Sequence, residues 1–592
     1  MTTRRDSETG TEIEFPQANI AAARAVSTAL ESTVGPTPRD TLIVNQLAAQ
    51  QDPDPGQTAI DDYTVSSDGA TILDALPLSH PIAPVIRRIV GPERPGETDV
   101  DGEAIPDGVS STVVLLGALL EESESLLERG VHPSTIERGY LAGLEHATRT
   151  LRSLSRPIGS FPDERAANVS IARSAMTGND VGGQGDTWAE IAAEAVASVG
   201  PPDEVSFAVR QLRSGSIADS RLVRGTVLDR DEIVDDRMPR TVTDATVLAL
   251  EGFKRDTAND GKTGGLRDPD FQRDGERILI DSPDEIGEYE AVFERRRERI
   301  ADGLVEAGVD VVATRLGIND AFQDLLADRG IVGIRGVNRL KLTQLARATG
   351  ATLVTDPDDI DPAHLGTAGL VEERRVEPRR NRKARRPIVV FDDCPEPASV
   401  TVMLRGVRGQ LAEQATTEVR KAAAAVAAAN GHGIARPGVL PGGGAPELQV
   451  ARTVREAAPG VDSRTQLALE AFADAADGFV SLLARNAGLD PQTTLATLRA
   501  RTDGDATASV GLSLPDGAIT DAFAAGIVDP LDVRLGCYEA AVEVATMILR
   551  VDDAIDATFG KEPTEPGDAI YDEHAEKHQD HLEETEDTIW DQ

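Results

Sequence analysis

The feature that most constrains this chain is the order of its periodicities. Helical segments at both ends flank a middle rich in strands. The stretch Ser111 to Ser155, with "TVVLLGALLEESESLLERG" closing at Gly130, repeats its apolar residues at the helical spacing, and so do residues 462–502 and 531–557. Residues 17–47 read as helix as well. Between the ends, "RLVRGTVLD" and "DATVLALEG" alternate as strands do. "GVDVVATRLGINDAFQDLLADRGIVGIRGV" reads strand, helix, strand, the mark of an α/β layer. One domain inserted into another, with the terminal blocks packed together, satisfies this order.

Composition narrows the class. The chain of 592 residues carries 101 acidic against 60 basic residues, a net charge of −41, with 40% hydrophobic and 3% aromatic content. Such a surface self-repels in dilute salt and is screened in molar salt, which predicts a halophilic protein. The charge argues against nucleic acid as the main partner. The apolar content and periodicity exclude a disordered chain. Cys394 and Cys537 form no CxxC pair, so neither a disulfide framework nor a zinc site is expected. The first residues hold no apolar signal region and the longest apolar run is too short to span a bilayer. The expectation is a cytoplasmic protein without a membrane partner.

Four pieces could carry chemistry: "VGPTPRD" from Val34, "SSDGATIL" from Ser66, "PDGVSSTVV" from Pro106 and "GVLPGGGAPE" from Gly438. Glycine turns that open helices let backbone N–H groups and the positive helix end approach a phosphate, and aspartates beside them could hold Mg²⁺. Singly, each reads as an ordinary turn or flexible loop. No Walker loop is present, since "DTANDGKT" at Asp256 to Thr263 lacks the first glycine.

Together and in order, the pieces resemble one family, the group II chaperonins: the archaeal thermosome and its eukaryotic relatives. The matching residues run from Asn19 to Asp556 and include "NIAAARAV", "DGATIL", "LSHPIAPVI", "GVHPSTIERGY", "ARATGATLV", "LVEERRV", "VLPGGGAPE", "ALEAFADA", "NAGLDP" and "AAVEVATMILRVDD". The resemblance implies a multidomain α+β chaperonin subunit. A helical equatorial domain would be built from 1–155 and 430–558, and a small intermediate domain from 156–218 and 379–429. An inserted α/β apical domain with a helical lid would span 219–378, and 559–592 would be an acidic tail. It also implies ATP and Mg²⁺ as cofactors, rings of one or several kinds of subunit, and unfolded or assembling proteins as partners. The nucleotide would meet Gly35, Pro36, Asp68, Gly69, Asp107, Gly108, Ser110, Ser111, Asn179, Gly443, Gly444 and Asp529, with Asp107 on the metal.

Departures from the family cluster on the nucleotide. Val109, Ser110 and Ser111 follow Asp107-Gly108 where the family has Gly-Thr-Thr after its aspartate. Thr37 and Pro38 replace a lysine and a glycine, and Asn179 falls where the family has a lysine near the γ-phosphate. The sharpest departure lies in "EVRKAAAAVAAAN". Counted from Leu404-Arg405-Gly406, the aspartate that positions the attacking water is Lys421 here, one of seven lysines in the chain. An ammonium is no base while protonated. Three readings follow: Lys421 pairs with Asp68 or Asp107 and holds the hinge, Glu418 one turn earlier substitutes as the acid, or Lys421 is a solvated helix residue. The expected function is a chaperonin-like ring subunit with ATP bound and hydrolysis impaired. The alternatives are a non-catalytic scaffold and an ordinary ATPase with a rerouted acid.

Two other clusters carry bland readings. "RRVEPRRNRKARR" at 374–386 reads as an exposed linker pairing with acidic neighbours rather than a patch for RNA or an acidic client. His574, His578 and His581 lie in an acidic tail, where metal binding is the minor reading. The lid segment keeps Ile286, Tyr289, Val292 and Phe293 as contacts for clients.

Overall fold

A computed structural model describes residues 4–5, 12–13, 15–35, 39–44, 63–76, 80–90, 108–176, 185–203, 205–229, 233–251, 283–357, 360–376, 386–433, 435–461, 463–502, 509–513 and 517–551. The chain divides into two units. In the one formed by Met1–Phe15 with Val551–Gln592, β1 (Arg4–Arg5) pairs antiparallel with β2 (Glu12–Ile13). Everything below concerns the other unit, Pro16–Arg550.

Its elements follow the order of the periodicities. First come α1 (Phe15–Leu30), β3 (Thr41–Val44), β4 (Tyr63–Ser66), α2 (Gly69–Ala75), α3 (Ala83–Arg87), α4 (Val109–Glu128) and α5 (Pro133–Leu154). Then come α6 (Glu164–Ala175), α7 (Gly185–Val199), β5 (Phe207–Leu212) and β6 (Arg221–Val223). The middle holds β7 (Val227–Asp229), β8 (Thr241–Leu250), α8 (Pro283–Glu306), β9 (Val311–Thr314), α9 (Asp320–Asp328), β10 (Val332–Ile334), α10 (Arg339–Thr349), β11 (Leu353–Val354), β12 (Gly366–Val376) and β13 (Arg386–Asp392). The chain returns through β14 (Val400–Arg405), α11 (Gln410–Ala429), β15 (Val439–Pro441), α12 (Ala445–Ala457), α13 (Thr465–Asn486) and α14 (Pro491–Thr502). It ends with β16 (Val510–Leu512), β17 (Ile519–Asp521), β18 (Val528–Pro530) and α15 (Leu531–Arg550).

Three large apolar clusters organise these elements. The first joins both chain ends. Ile20 and Leu30 of α1, Leu116 and Leu119 of α4 and Tyr140 of α5 share a core with Phe472 of α13 and Tyr538 and Ile548 of α15. The Phe472 ring meets Tyr140 edge-on and stacks with Tyr538, each at 6.1 Å between centroids. The second cluster fills a seven-stranded sheet of order β10-β9-β8-β12-β13-β7, with β11 also on β8. The pairs β8–β9 and β9–β10 are parallel and the pairs toward β7 are antiparallel. The third cluster packs α6, α7 and α11 on β5-β14-β6 through Trp188, Phe207, Val402, Val419 and Val426.

Two expectations are corrected. The helix expected over 17–47 ends at Leu30, and Thr41–Val44 is a strand paired antiparallel with Tyr63–Ser66. The chain passes through a single 3-10 turn, Glu31–Thr33, into extended backbone at Val34, Gly35 follows at φ 112°, and the β-branched Ile43 and Val44 suit a strand. The seven-stranded sheet also draws in Arg386–Asp392, beyond the boundary placed at 378. The last helix is described to Arg550. Among the described residues, no helix is long and apolar enough to cross a membrane.

Candidate functional site

The starts of α2 and α4 meet in a cleft of about 430 Å³. Asp68 caps α2: its Oδ2 accepts from the Thr71 N–H at 2.9 Å and the Thr71 hydroxyl at 2.6 Å. Gly69 has to be glycine, because a Cβ there would lie 2.3 Å from Ser110 Oγ and 2.7 Å from Ser110 N. That close approach docks one helix start on the other. Gly108, at φ 88°, turns the chain into α4. The first turn of α4 holds Val109, Ser110 and Ser111 and no acid, and Ser110 Oγ lies 2.9 Å from Thr33 Oγ1.

A third helix closes the cleft. Val419, Ala422, Ala423 and Val426 bury one face of α11 in the third cluster. The opposite side presents Lys421 and Glu418 to the cleft. The Lys421 ammonium donates to Asp68 Oδ1 and lies 3.9 Å from Glu418 Oε1. The three side chains are 19%, 12% and 4% exposed. Burial by itself would raise the Asp68 pKa; the charge and hydrogen bond of Lys421, with the two bonds from Thr71, outweigh it and hold the carboxyl below the usual range.

The far wall comes from the C-terminal block. Gly443, at φ 64°, admits no side chain, since a Cβ would lie 2.4 Å from Leu512 O. Gly444 caps α12, and a Cβ there would face Val480 and Leu483; the residue itself is not part of the cleft lining. Asp529, in β18, accepts from Arg534 Nη2 at 2.9 Å, and Arg534 Nη1 lies 3.3 Å from Glu447. Burial drives Glu447 above the usual carboxyl range even though Arg534 opposes it. Arg534 also lies over the Phe479 ring, 5.5 Å from its centroid. Arg173 pairs with Asp186 at 2.6 Å, and the buried Cys537 Sγ lies 3.5 Å from Gly108 O.

The fold thus brings Gly35, Asp68, Gly69, Gly108, Ser110, Ser111, Lys421, Gly443 and Asp529 to one cleft. Pro36, Thr37, Pro38, Asp107 and Asn179 lie outside the described residues, as do 377–385 and the tail histidines. In the segment expected to form the lid, α8 is helical and Val292 is 52% exposed; the side chains of Ile286 and Tyr289 lie outside the described ones. Sequence reasoning missed Arg534, Glu447, Phe479 and Arg173. The pair Asp529 and Arg534, one turn apart at a strand-to-helix junction, is the signal that points to the first.

The lining suits a polyanion: two helix starts, two serine hydroxyls, and the cations Arg173, Lys421 and Arg534 against the acids Asp68, Glu418 and Asp529. It suits Mg²⁺ poorly. Both oxygens of Asp68 are engaged, Asp529 is held by Arg534, and Glu418 faces the ammonium. Among the described residues, no group of three or more His, Cys, Asp or Glu side chains could hold a metal ion. The described donors therefore do not fit that ion.

Residues 26–558 match the model of the TCP-1/cpn60 chaperonin family. A thermosome subunit of Methanopyrus kandleri is 34% identical over 547 residues, 91% of each chain. Thermosome subunit beta of Aeropyrum pernix is 35% identical over 553 residues, covering 92% of this chain and 91% of its own. Thermosome subunit 1 of Haloferax volcanii is 33% identical over 555 residues, covering 93% and 90%.

Proposed function

Because the chain belongs to the TCP-1/cpn60 chaperonin family, we propose that it is a cytoplasmic ring subunit that binds unfolded or assembling protein, retains ATP and hydrolyses it poorly. The first apolar cluster serves as the equatorial domain, the third as the intermediate domain, and the seven-stranded sheet with α8 as the apical domain and its lid. The charge of −41 supports a halophilic setting.

The observation that carries the reading is the contact between Lys421 and Asp68. Where the resemblance places an aspartate that works on the attacking water, this chain presents an ammonium engaged by a carboxylate. A protonated amine cannot accept that proton, and general-base catalysis is worth about 10²–10⁴ in rate. The test is ATP hydrolysis in molar KCl by the wild type, Lys421→Asp and Lys421→Ala. A wild type that barely turns over and gains about tenfold or more in Lys421→Asp is expected. Brisk turnover by the wild type, unchanged in Lys421→Ala, would sink the reading.

One observation favours a second reading. Glu418 is buried, lines the same cleft and lies one turn from Lys421. If it serves as a rerouted acid, the wild type hydrolyses ATP and Glu418→Gln abolishes it.

A further inference from the structure

We infer that the cleft takes its nucleotide as the metal-free polyanion, with Lys421 supplying the positive charge a divalent cation would bring. This rests on reading the cleft as a nucleotide site. It concerns the form of the ligand rather than its turnover.

Three observations lead there. The first is occupancy of the donors. Mg²⁺ requires a nearly ideal octahedron of oxygens and gives up water reluctantly. To use Asp68 it would have to expel the Lys421 ammonium from Oδ1 or break the Thr71 bonds that start α2. Glu418 is no easier, since its carboxylate lies 3.9 Å from the same ammonium.

The second is the charge balance. The described lining carries three acids, Asp68, Glu418 and Asp529, and three bases, Arg173, Lys421 and Arg534. With aspartate at 421 there would be four acids and two bases, and the balance would fall from zero to minus two. A cleft of that sign repels a bare triphosphate and needs a divalent ion to bridge it. The described lining as it stands carries no such excess.

The third is position. α11 is clamped by Val419, Ala422 and Val426, each fully buried, so the root of Lys421 is fixed. Its side chain is 19% exposed, on the wall that faces the starts of α2 and α4. An ammonium in such surroundings is screened by salt far less than one on the surface, so it acts as a local counter-charge even in molar KCl.

The experiment is displacement of TNP-ATP by ATP on the assembled full-length protein in molar KCl, with either MgCl₂ or EDTA. Circular dichroism in both buffers checks the fold. The wild-type Kd is expected to differ by less than about threefold between the two conditions, while Lys421→Gln and Lys421→Asp bind at least about tenfold more weakly in EDTA. A wild type that weakens about tenfold or more in EDTA with its fold intact overturns the inference. Variants as indifferent to EDTA as the wild type overturn the role given to Lys421. Should Lys421→Asp fail to fold, the wild type and Lys421→Gln still decide. Binding in neither buffer removes this inference together with the retained nucleotide. Equal binding in both buffers with brisk hydrolysis in MgCl₂ refutes only the impaired turnover and leaves this inference standing.

Discussion

Removing the Lys421 amine should loosen α2 and α11 together, because the contact ties the start of one to the middle of the other. A double-mutant cycle of Lys421→Ala and Asp68→Asn isolates it. Asparagine keeps the cap on Thr71, so the cycle reports the ion pair rather than the helix start. Exposed pairs are worth about 0–1 kcal/mol, and removing one partner of a buried pair costs about 3–5 kcal/mol. With side chains 19% and 12% exposed, this pair lies between those limits. A coupling of about 2 kcal/mol follows, or about 30-fold in a local opening equilibrium. Molar salt reduces the Debye length to about 3 Å, and a direct contact shielded by protein keeps most of its strength. Native-state hydrogen exchange, read by mass spectrometry on peptides covering Gly69–Ala75 and Gln410–Ala429, measures the opening. Either substitution should speed exchange in both helices, and the double variant should add little. The pH dependence has a definite sign. The folded Asp68 pKa is depressed below 3.8, so its contribution is complete above the unfolded value of about 3.9 and is lost as pH falls through the folded one. The gap between wild type and Asp68→Asn should therefore hold at about pH 5, begin to narrow as pH falls below about 3.9 and vanish only below the folded value. Effects that simply add, or that stay under about threefold, would refute the reasoning.

Packing and thiol chemistry give two further tests. A Cβ at Gly139 of α5 would lie 2.3 Å from Ala468 Cβ of α13, so Gly139→Ala should cost about 1–3 kcal/mol, read as a lower melting temperature. Gly303→Ala in α8 meets nothing within 4 Å and should be neutral or gain up to about 1 kcal/mol; equal effects at both sites would count against this helix packing. Burial, with Asp392 and Asp393 nearby, pushes the Cys394 thiol up to about 12. At pH 8 only roughly one molecule in 10⁴ then carries the thiolate, so in a Cys537→Ala background DTNB should react slowly until denaturant is added. Rapid reaction of the native protein would contradict that environment.

How much was legible follows from the range of each signal. Helices such as α4, α5 and α13 declare themselves by local periodicity, and Gly130 ends one as a lone glycine should. The strand Thr41–Val44 reads in sequence as a continuation of the preceding helix, because four apolar-leaning residues after a helix carry no period of their own. Its partner, Tyr63–Ser66, lies across a long polar segment. The meeting of Asp68 with Lys421 spans 353 positions and no spacing rule reaches that far; only the order of motifs along the chain suggested it. Arg534 and Glu447, the partners of Asp529, are hidden for a different reason. Charged residues are assigned to the surface by default, and here an arginine 14% exposed joins a carboxylate 3% exposed to one at 25%. The triple glycine read as slack, yet at Gly443 the backbone of Leu512 leaves no room for a side chain.

The choice of lysine at 421 is itself informative in a chain with seven lysines among 60 basic residues. Arginine carries its charge on a broad planar fork that seeks two acceptor oxygens, whereas an ammonium is a compact point charge. On Asp68 the second oxygen is already committed to Thr71 N and Oγ1. A guanidinium could claim both oxygens only by uncapping α2, at about 1 kcal/mol. Lysine takes Oδ1 alone and leaves the cap in place, with Glu418 at 3.9 Å as a second neighbour of the charge. A solvated helix position would place no such demand on the shape of its cation. The geometry at Asp68 therefore explains why the commoner cation of this chain is absent from position 421, where it would face that carboxylate.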